Sequence, residues 1–368
     1  MANTFPQQYT SAIKFIRRQK ARIESGKLNS LPIGLPVFSR SSKIRLPRKT
    51  YGIVTAEPKA GKTQLADHIG LHSPIEAVYV DPALADYKDK VNVLYISLEE
   101  DATTKSLQGI SRRLYTTSHG RIRVTLKDLE SEELALPDRV IDQIADDQEY
   151  AKFFHRRVRY VENARTPTQI LKAVRDFASD FGEMILDQEP DGRISIKAYR
   201  SFDPEQFLIV ILDHFSLIQP ETGQTLKQAI GTVSKGFVEY RNQCLASIIG
   251  VQQQAETRPF GIGGDARFVP MTKYLADDKD TQRDINWMIG LYSVYPHGVQ
   301  KHAGYDNLDQ YRDNLRFIRV MRSRHGGADL TKALFFDGGC RYFRDMPPPN
   351  DFAQLDNVRS IVRGISSF

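Results

Sequence analysis

At 368 residues, with 40% hydrophobic and 26% charged side chains, the chain has the make-up of an ordinary globular protein, which excludes the disordered class. Its 51 basic and 45 acidic residues leave a net charge of +6 and a pI near 9.1, a small excess that favours a polyanionic partner only weakly. Cys244 and Cys340 make no disulfide framework or zinc pattern, which points to a reducing cytoplasm, and no run approaches the ~18 apolar residues of a membrane span.

In chain order, residues 7–25 set Tyr9, Ile13, Phe15, Ile16 and Ile23 among basic side chains. This predicts an amphipathic helix, docked either on a neighbour or on its own domain. Pro32, Gly34 and Pro36 then mark an extended connector, and Arg40 to Lys49 is a basic approach to the first core strand.

Tyr51 to Gly70 reads YGIVTAEPKAGKTQLADHIG: an apolar strand, a small-residue turn and a helix. The turn (Ala56, Glu57, Pro58, Lys59, Ala60, Gly61, Lys62, Thr63, Gln64) matches the phosphate-loop pattern G-x-x-x-x-G-K-[ST], with Ala56 in place of the first glycine. In that pattern backbone N–H groups face phosphate oxygens, the lysine neutralises the β- and γ-phosphates, and the hydroxyl binds Mg²⁺. Lys62 and Thr63 take those two places. Pro74 to Lys90 reads as an irregular excursion.

Val91 to Leu98 (VNVLYISL) is an apolar run suited to a parallel strand covered on both faces, and it ends in Glu99-Glu100-Asp101. Carboxylates there can reach the γ-phosphate and its water, or serve as first-turn charges of a helix starting near Ala102. Helical patterns follow at about 102–115 and 134–148, and a strand at Val158 to Val161. Thr166-Pro167-Thr168-Gln169 is a capping box for the next helix, with Gly182 as its stop. Met184 to Tyr199 alternates around Pro190-Asp191-Gly192, as an inserted hairpin does.

Phe207 to Asp213 (FLIVILD) is the next buried strand, and its terminal aspartate suits a Walker B position or a helix cap. After a helix carrying Leu226, Ile230, Val233, Phe237 and Tyr240, Ala246 to Val251 leads into Gln252-Gln253-Gln254. A glutamine at a strand end either senses the γ-phosphate or is a plain polar terminus. The long segment from Glu256 to Asp284 carries glycines with Arg258, Arg267 and Lys273, a composition suited to a nucleic-acid strand. Late strands are expected at Ile285 to Val294, Leu315 to Met321, Lys332 to Phe336 and Gly339 to Phe343, with a loosely held tail from Pro347.

Taken together, the strings AEPKAGKT, LYISLEE, IVILDHFSLI, GVQQQ and VMRSRHGG, in that order, resemble the RecA-like motor domain of DnaB-type replicative hexameric helicases of superfamily 4, particularly phage-encoded versions. The resemblance runs from about Gly34 to Arg344. It implies an α/β P-loop NTPase core with a mostly parallel central sheet, helices on both faces, late antiparallel strands and a β-hairpin insertion. By the same resemblance Glu99 is the catalytic glutamate, Asp213 coordinates Mg²⁺, Gln253 is the γ-phosphate sensor, Arg324 is the arginine finger and Arg322 its basic neighbour. ATP and Mg²⁺ are the implied cofactors. Single-stranded DNA in the channel of a six-subunit homo-oligomer is the implied partner, with a primase or helicase loader as a further one. The implied activity is ATP-dependent unwinding, 5'-3', in the cytoplasm of a bacterial or phage-infected cell.

On this reading residues 1–45 form an N-terminal helix and linker, a subunit-docking arm, 46–346 the ATPase domain with its hairpin at about 184–199, and 347–368 a tail. Only about fifty residues precede the first core strand, so no collar domain is expected. Two other functions use the same loop: a recombination or repair ATPase of the RecA/RadA class, and a regulatory or scaffold ATPase without unwinding.

Overall fold

The apolar runs become strands because each is buried on both faces. The computed structural model describes residues 5–133, 135–188, 194–254, 268–275, 280–324 and 326–365. Nine strands form its central sheet: β1 (Thr50–Ala56), β2 (Val91–Ser97), β3 (Val158–Val161), β4 (Phe207–Asp213), β5 (Ser247–Gln253), β6 (Trp287–Tyr292), β7 (Leu315–Ser323), β8 (Thr331–Asp337) and β9 (Tyr342–Asp345). Their order is β9-β8-β7-β6-β1-β5-β4-β2-β3. From β6 to β3 every pairing is parallel, and from β6 to β9 every pairing is antiparallel. Every residue of β1, β2 and β4 is buried, as parallel strands between helical layers require.

Alternate residues feed two cores. Val54, Ile209, Ile211 and Ile249 face one layer with Leu65, Ile69, Ile75 and Phe154. Ile53, Leu208, Val210 and Ile248 face the other, with the apolar stripes of α7 (Pro167–Ser179) and α8 (Leu226–Gln243). Thr166 caps α7 with Gln169 in the reciprocal arrangement the sequence predicts. The stop is Asp180 rather than Gly182, which instead opens the hairpin, where a Cβ would lie 2.4 Å from the Tyr199 ring. That hairpin pairs Gly182–Gln188 with Ile194–Ser201, its turn lying outside the described residues. Tyr199 fastens it by donating to the Ala178 carbonyl at 2.9 Å.

Three expectations are corrected. The excursion after the phosphate loop is ordered helix: α2 (Lys62–Asp67) continues through a π-helical turn, His68–His72, into α3 (Ser73–Val80). Pro74 is tolerated because it sits in the first turn, where its missing N–H costs no helical bond. The helical pattern at 134–148 is two helices, α5 (Asp138–Asp146) and α6 (Gln148–Arg157), with α4 (Ala102–Thr117) before them. The tail is also helical: α9 (Phe352–Ile365) buries Leu355, Val358 and Val362 against Tyr292, Phe317 and Phe335. Proline near its start hides a stripe with helical spacing. Leu355→Ala is expected to cost about 2–5 kcal/mol of stability by urea titration, the range for emptying a buried leucine site. An unchanged midpoint would mean that α9 is not part of the core.

The N-terminal helix α1 (Phe5–Glu24) leaves Ile16 and Ile23 more than 60% exposed. Its last turn is held to its own domain, where Arg22 donates to both Glu205 oxygens at 2.5 and 2.8 Å. Lys27 and Arg48 also face Glu205, at 3.5 and 3.8 Å, and the carboxyl is drawn down to about 2, chiefly by the Arg22 hydrogen bond. Arg48 belongs to the basic approach stretch, yet its guanidinium stacks 3.7 Å over the Phe207 ring.

Candidate active site

Parallel pairing brings the carboxyl ends of β1, β2, β4 and β5 to one edge of the sheet. Ser97 is registered opposite Asp213, and Ala56 opposite Gln253. Ligands of open α/β sheets bind at such an edge. The turn after β1 runs through residues 57–61 into α2, and Gly61 sits at φ +102, a left-handed conformation that glycine adopts freely. A Cβ there would also lie 3.2 Å from the Phe336 ring, so backbone and space both call for glycine. Lys62 and Thr63 follow in the first turn, each partly exposed. The Thr63 hydroxyl donates to Asp213 Oδ1 at 3.0 Å, joining residues 150 positions apart.

The three consecutive acids at the end of β2 have three different surroundings. Asp101 caps α4 by accepting from the Thr104 N–H at 2.7 Å. Glu100 turns inward to Lys105 at 3.0 Å, Arg341 at 2.8 Å and Gln108 at 2.8 Å. Burial works to raise its carboxyl, but Lys105 and Arg341 outweigh it and hold the group down at about 2. Its ionised form therefore adds stability that is complete above the unfolded carboxylate range and is lost as pH falls through about 2. Glu99 is left facing out, with its side chain 55% exposed and His214 Nε2 at 3.7 Å from Oε2. Of the two glutamates, Glu99 alone is placed to approach a water at the strand edge.

The three glutamines after β5 divide in the same way. Gln252 accepts from Thr281 at 3.1 Å and Gln254 donates to Thr55 at 3.1 Å, both from fully buried positions. Strand alternation turns Gln253, between them, to the other side, where it is partly exposed. Arg322 and Arg324 lie at the far end of β7, beside a slip in its pairing with β6. Arg324 is exposed and donates to the carbonyls of Arg283 and Asn286, at 2.8 Å each, not to its own phosphate loop. Of the basic residues in the long segment, Lys273 is on an exposed 3-10 turn, Thr272–Tyr274. Arg258 and Arg267 lie outside the described residues.

Two buried cations were not anticipated from the sequence. Arg316, 1% exposed, donates from Nε to the Ala60 carbonyl of the phosphate loop at 2.9 Å and from Nη1 to the Asp313 carbonyl at 2.6 Å. Lys105 lies beneath Asp213. Burial acts to lower its ammonium, but Asp67, Asp213 and Glu100 together raise it above its ordinary value. Neither residue belongs to an apolar pattern, and the polar face Lys105-Gln108-Arg112 of α4 reads from sequence as solvent-facing although all three are buried.

The convergent oxygens of Thr63 and Asp213 are hard donors of the kind Mg²⁺ takes. Among the described residues no group of three or more His, Cys, Asp or Glu is placed to hold a metal. That suits Mg²⁺, which takes one or two protein oxygens and completes its octahedron with water and substrate phosphates. Nor is any described helix long and apolar enough to cross a membrane.

No protein-family model matches the chain, and no curated protein matches it in sequence. Solved structures do. A DnaB-like replicative helicase, described with its interactions with primase, is similar over 90% of this chain and 68% of its own, with a TM-score of 0.61 at 16% identity. The ATPase domain of a phage DnaB-like helicase is similar over 94% of this chain and 100% of its own, with a TM-score of 0.60 at 14% identity. The fold implied by the five sequence strings is the fold found, a RecA-like α/β domain.

Proposed function

We propose that this protein is an ATP-hydrolysing motor of the DnaB-like kind, which translocates on single-stranded DNA as a six-membered ring and unwinds duplex ahead of it in the 5'-3' direction. The observation that carries the reading is the Thr63–Asp213 hydrogen bond at the mouth of the phosphate loop. It sets a hydroxyl and a carboxylate where a nucleotide-bound Mg²⁺ would lie. Around it the chain supplies the remaining parts. Residues 56–64 wrap the phosphates, Lys62 neutralises their charge, and Glu99 orients and deprotonates the attacking water. Gln253 reads the γ-phosphate. Bound Mg²⁺ supplies charge neutralisation between the β- and γ-oxygens.

Arg324, with Arg322 beside it, serves the ATP of the adjacent subunit. The reading is supported by the outward position of Arg324 and by its hydrogen bonds away from its own loop. The exposed Ile16 and Ile23 of α1, on a helix tied down at its far end by Arg22, suit an arm that docks on a neighbour. The segment holding Arg258, Arg267 and Lys273 contacts DNA. A primase or a loader completes the replicative setting, and the cytoplasm is its compartment.

Incubation with ATP, Mg²⁺ and forked DNA tests the proposal. Displacement of the strand, dependent on ATP and on a free single-stranded 5' arm, is the expected result. Hydrolysis stimulated by single-stranded DNA without displacement would favour a recombination ATPase, and absence of DNA binding at low salt would favour a regulatory one.

A further inference from the structure

A lysine occupies the buried face of α4 directly beneath the proposed metal carboxylate. Lys105 is 3% exposed, and its Nζ lies 2.8 Å from the Tyr95 hydroxyl, 3.1 Å from Asp67 Oδ2, 3.0 Å from Glu100 Oε2 and 3.6 Å from Asp213 Oδ2. These four oxygens belong to β2, α2, the acidic turn after β2, and β4. Tyr95 closes the network, with its hydroxyl 2.7 Å from Asp67 Oδ1 and 3.2 Å from Asp213 Oδ2. Arg341 adds a second cation at the rim, 2.8 Å from Glu100 Oε1 and 3.9 Å from Asp67 Oδ2.

A buried ion cluster is weak evidence for stability, because desolvation offsets most of the attraction. Its effect is on arrangement. Tyr95 and Lys105 engage the Oδ2 side of Asp213, leaving Oδ1 to Thr63. Lys105 also draws Glu100 inward at the residue next to Glu99, whose side chain then faces solvent.

We propose that Lys105 is a positioning residue for the proposed reaction: it fixes the carboxylate plane of Asp213 from beneath and, through Glu100, the outward direction of Glu99. The inference rests on the Mg²⁺–ATP reading of this site. A simpler role, neutralising Asp67 so that the domain can fold, would need only a balanced charge. The two roles are separable because Lys105→Met combined with Asp67→Asn removes one charge of each sign and leaves the Tyr95 hydroxyl available to Asp213.

The test uses the full chain and a non-hydrolysable ATP analogue. Fluorescent-analogue affinity is measured in EDTA, and Mn²⁺ binding to the protein–analogue complex by electron paramagnetic resonance. In the folded double variant, affinity in EDTA is expected to be unchanged while half-saturating Mn²⁺ rises by about 10- to 100-fold, the usual loss when a group supporting a metal ligand is removed. Wild-type Mn²⁺ affinity in that variant overturns the positioning role and leaves only charge balance. Should the double variant fail to fold, Tyr95→Phe, which deletes one oxygen and keeps the ring, is expected to shift Mn²⁺ binding in the same direction; an unshifted curve there overturns it equally. If the wild-type protein itself shows no Mn²⁺-dependent binding of the analogue, the Mg²⁺–ATP reading falls and this inference with it.

Discussion

Arg324→Ala is expected to lower ATP turnover by about 10³- to 10⁵-fold, the contribution of an arginine finger in phosphoryl transfer, with nucleotide affinity retained. Both halves of that expectation come from where the side chain sits. Arg324 is at the exposed end of β7, and its guanidinium donates to the Arg283 carbonyl, not to its own loop. Removing it leaves Lys62, Thr63 and Asp213 in place to bind nucleotide. Stopped-flow binding beside steady-state hydrolysis checks the pair. Mixing Arg324→Ala with Lys62→Ala subunits adds a sharper measurement, since a shared site regains activity wherever an intact loop meets an intact arginine. Near wild-type hydrolysis by the single variant would remove the finger from the mechanism, and no recovery at any mixing ratio would argue against sites shared between subunits.

The second large effect separates two neighbouring glutamates. Glu99→Gln is expected to cut kcat by about 10²- to 10⁴-fold, the range for a lost general base, while stability, for a surface substitution, moves by no more than about 0.5 kcal/mol. Glu100→Gln is expected to do the reverse. It leaves Lys105 and Arg341 short of a charged partner, at a cost on the order of 1–3 kcal/mol, with the smaller effect on chemistry. Hydrolysis rates and urea midpoints measured on both variants give the comparison. If Glu100→Gln is the slower enzyme, the base has been assigned to the wrong carboxylate.

Much of this is legible in the sequence because parallel strands buried on both faces write themselves as unbroken apolar runs. FLIVILD and VNVLYISL each end at the edge where the acids are needed, so strand and candidate site residue are read together. The capping threonine of α7 is equally plain, since Thr166 and Gln169 act on each other three residues apart. What escapes depends on contacts between distant segments. Pro74 reads as a breaker, yet a π-helical turn delivers it to the start of α3. The proline-rich entry to α9 conceals Leu355, Val358 and Val362. Lys105 and Arg316 look like surface residues in any local window; only the fold supplies the carboxylates around one and the loop carbonyl beside the other. Even the choice between Glu99 and Glu100 rests on Arg341, 241 positions beyond Glu100 in the chain.

The reach of β7 has a mechanical consequence. One end of this nine-residue strand begins at Leu315, beside the Arg316 guanidinium braced against Ala60, and the other runs out toward Arg324. At about 3.3 Å per residue that is roughly 30 Å of hydrogen-bonded strand, paired along its length with β6 and partly with β8. It behaves as a beam with a bearing at each end. The loop that grips a subunit's own nucleotide and the arginine it extends outward are mounted on the same stiff member, so neither can be displaced without loading the other.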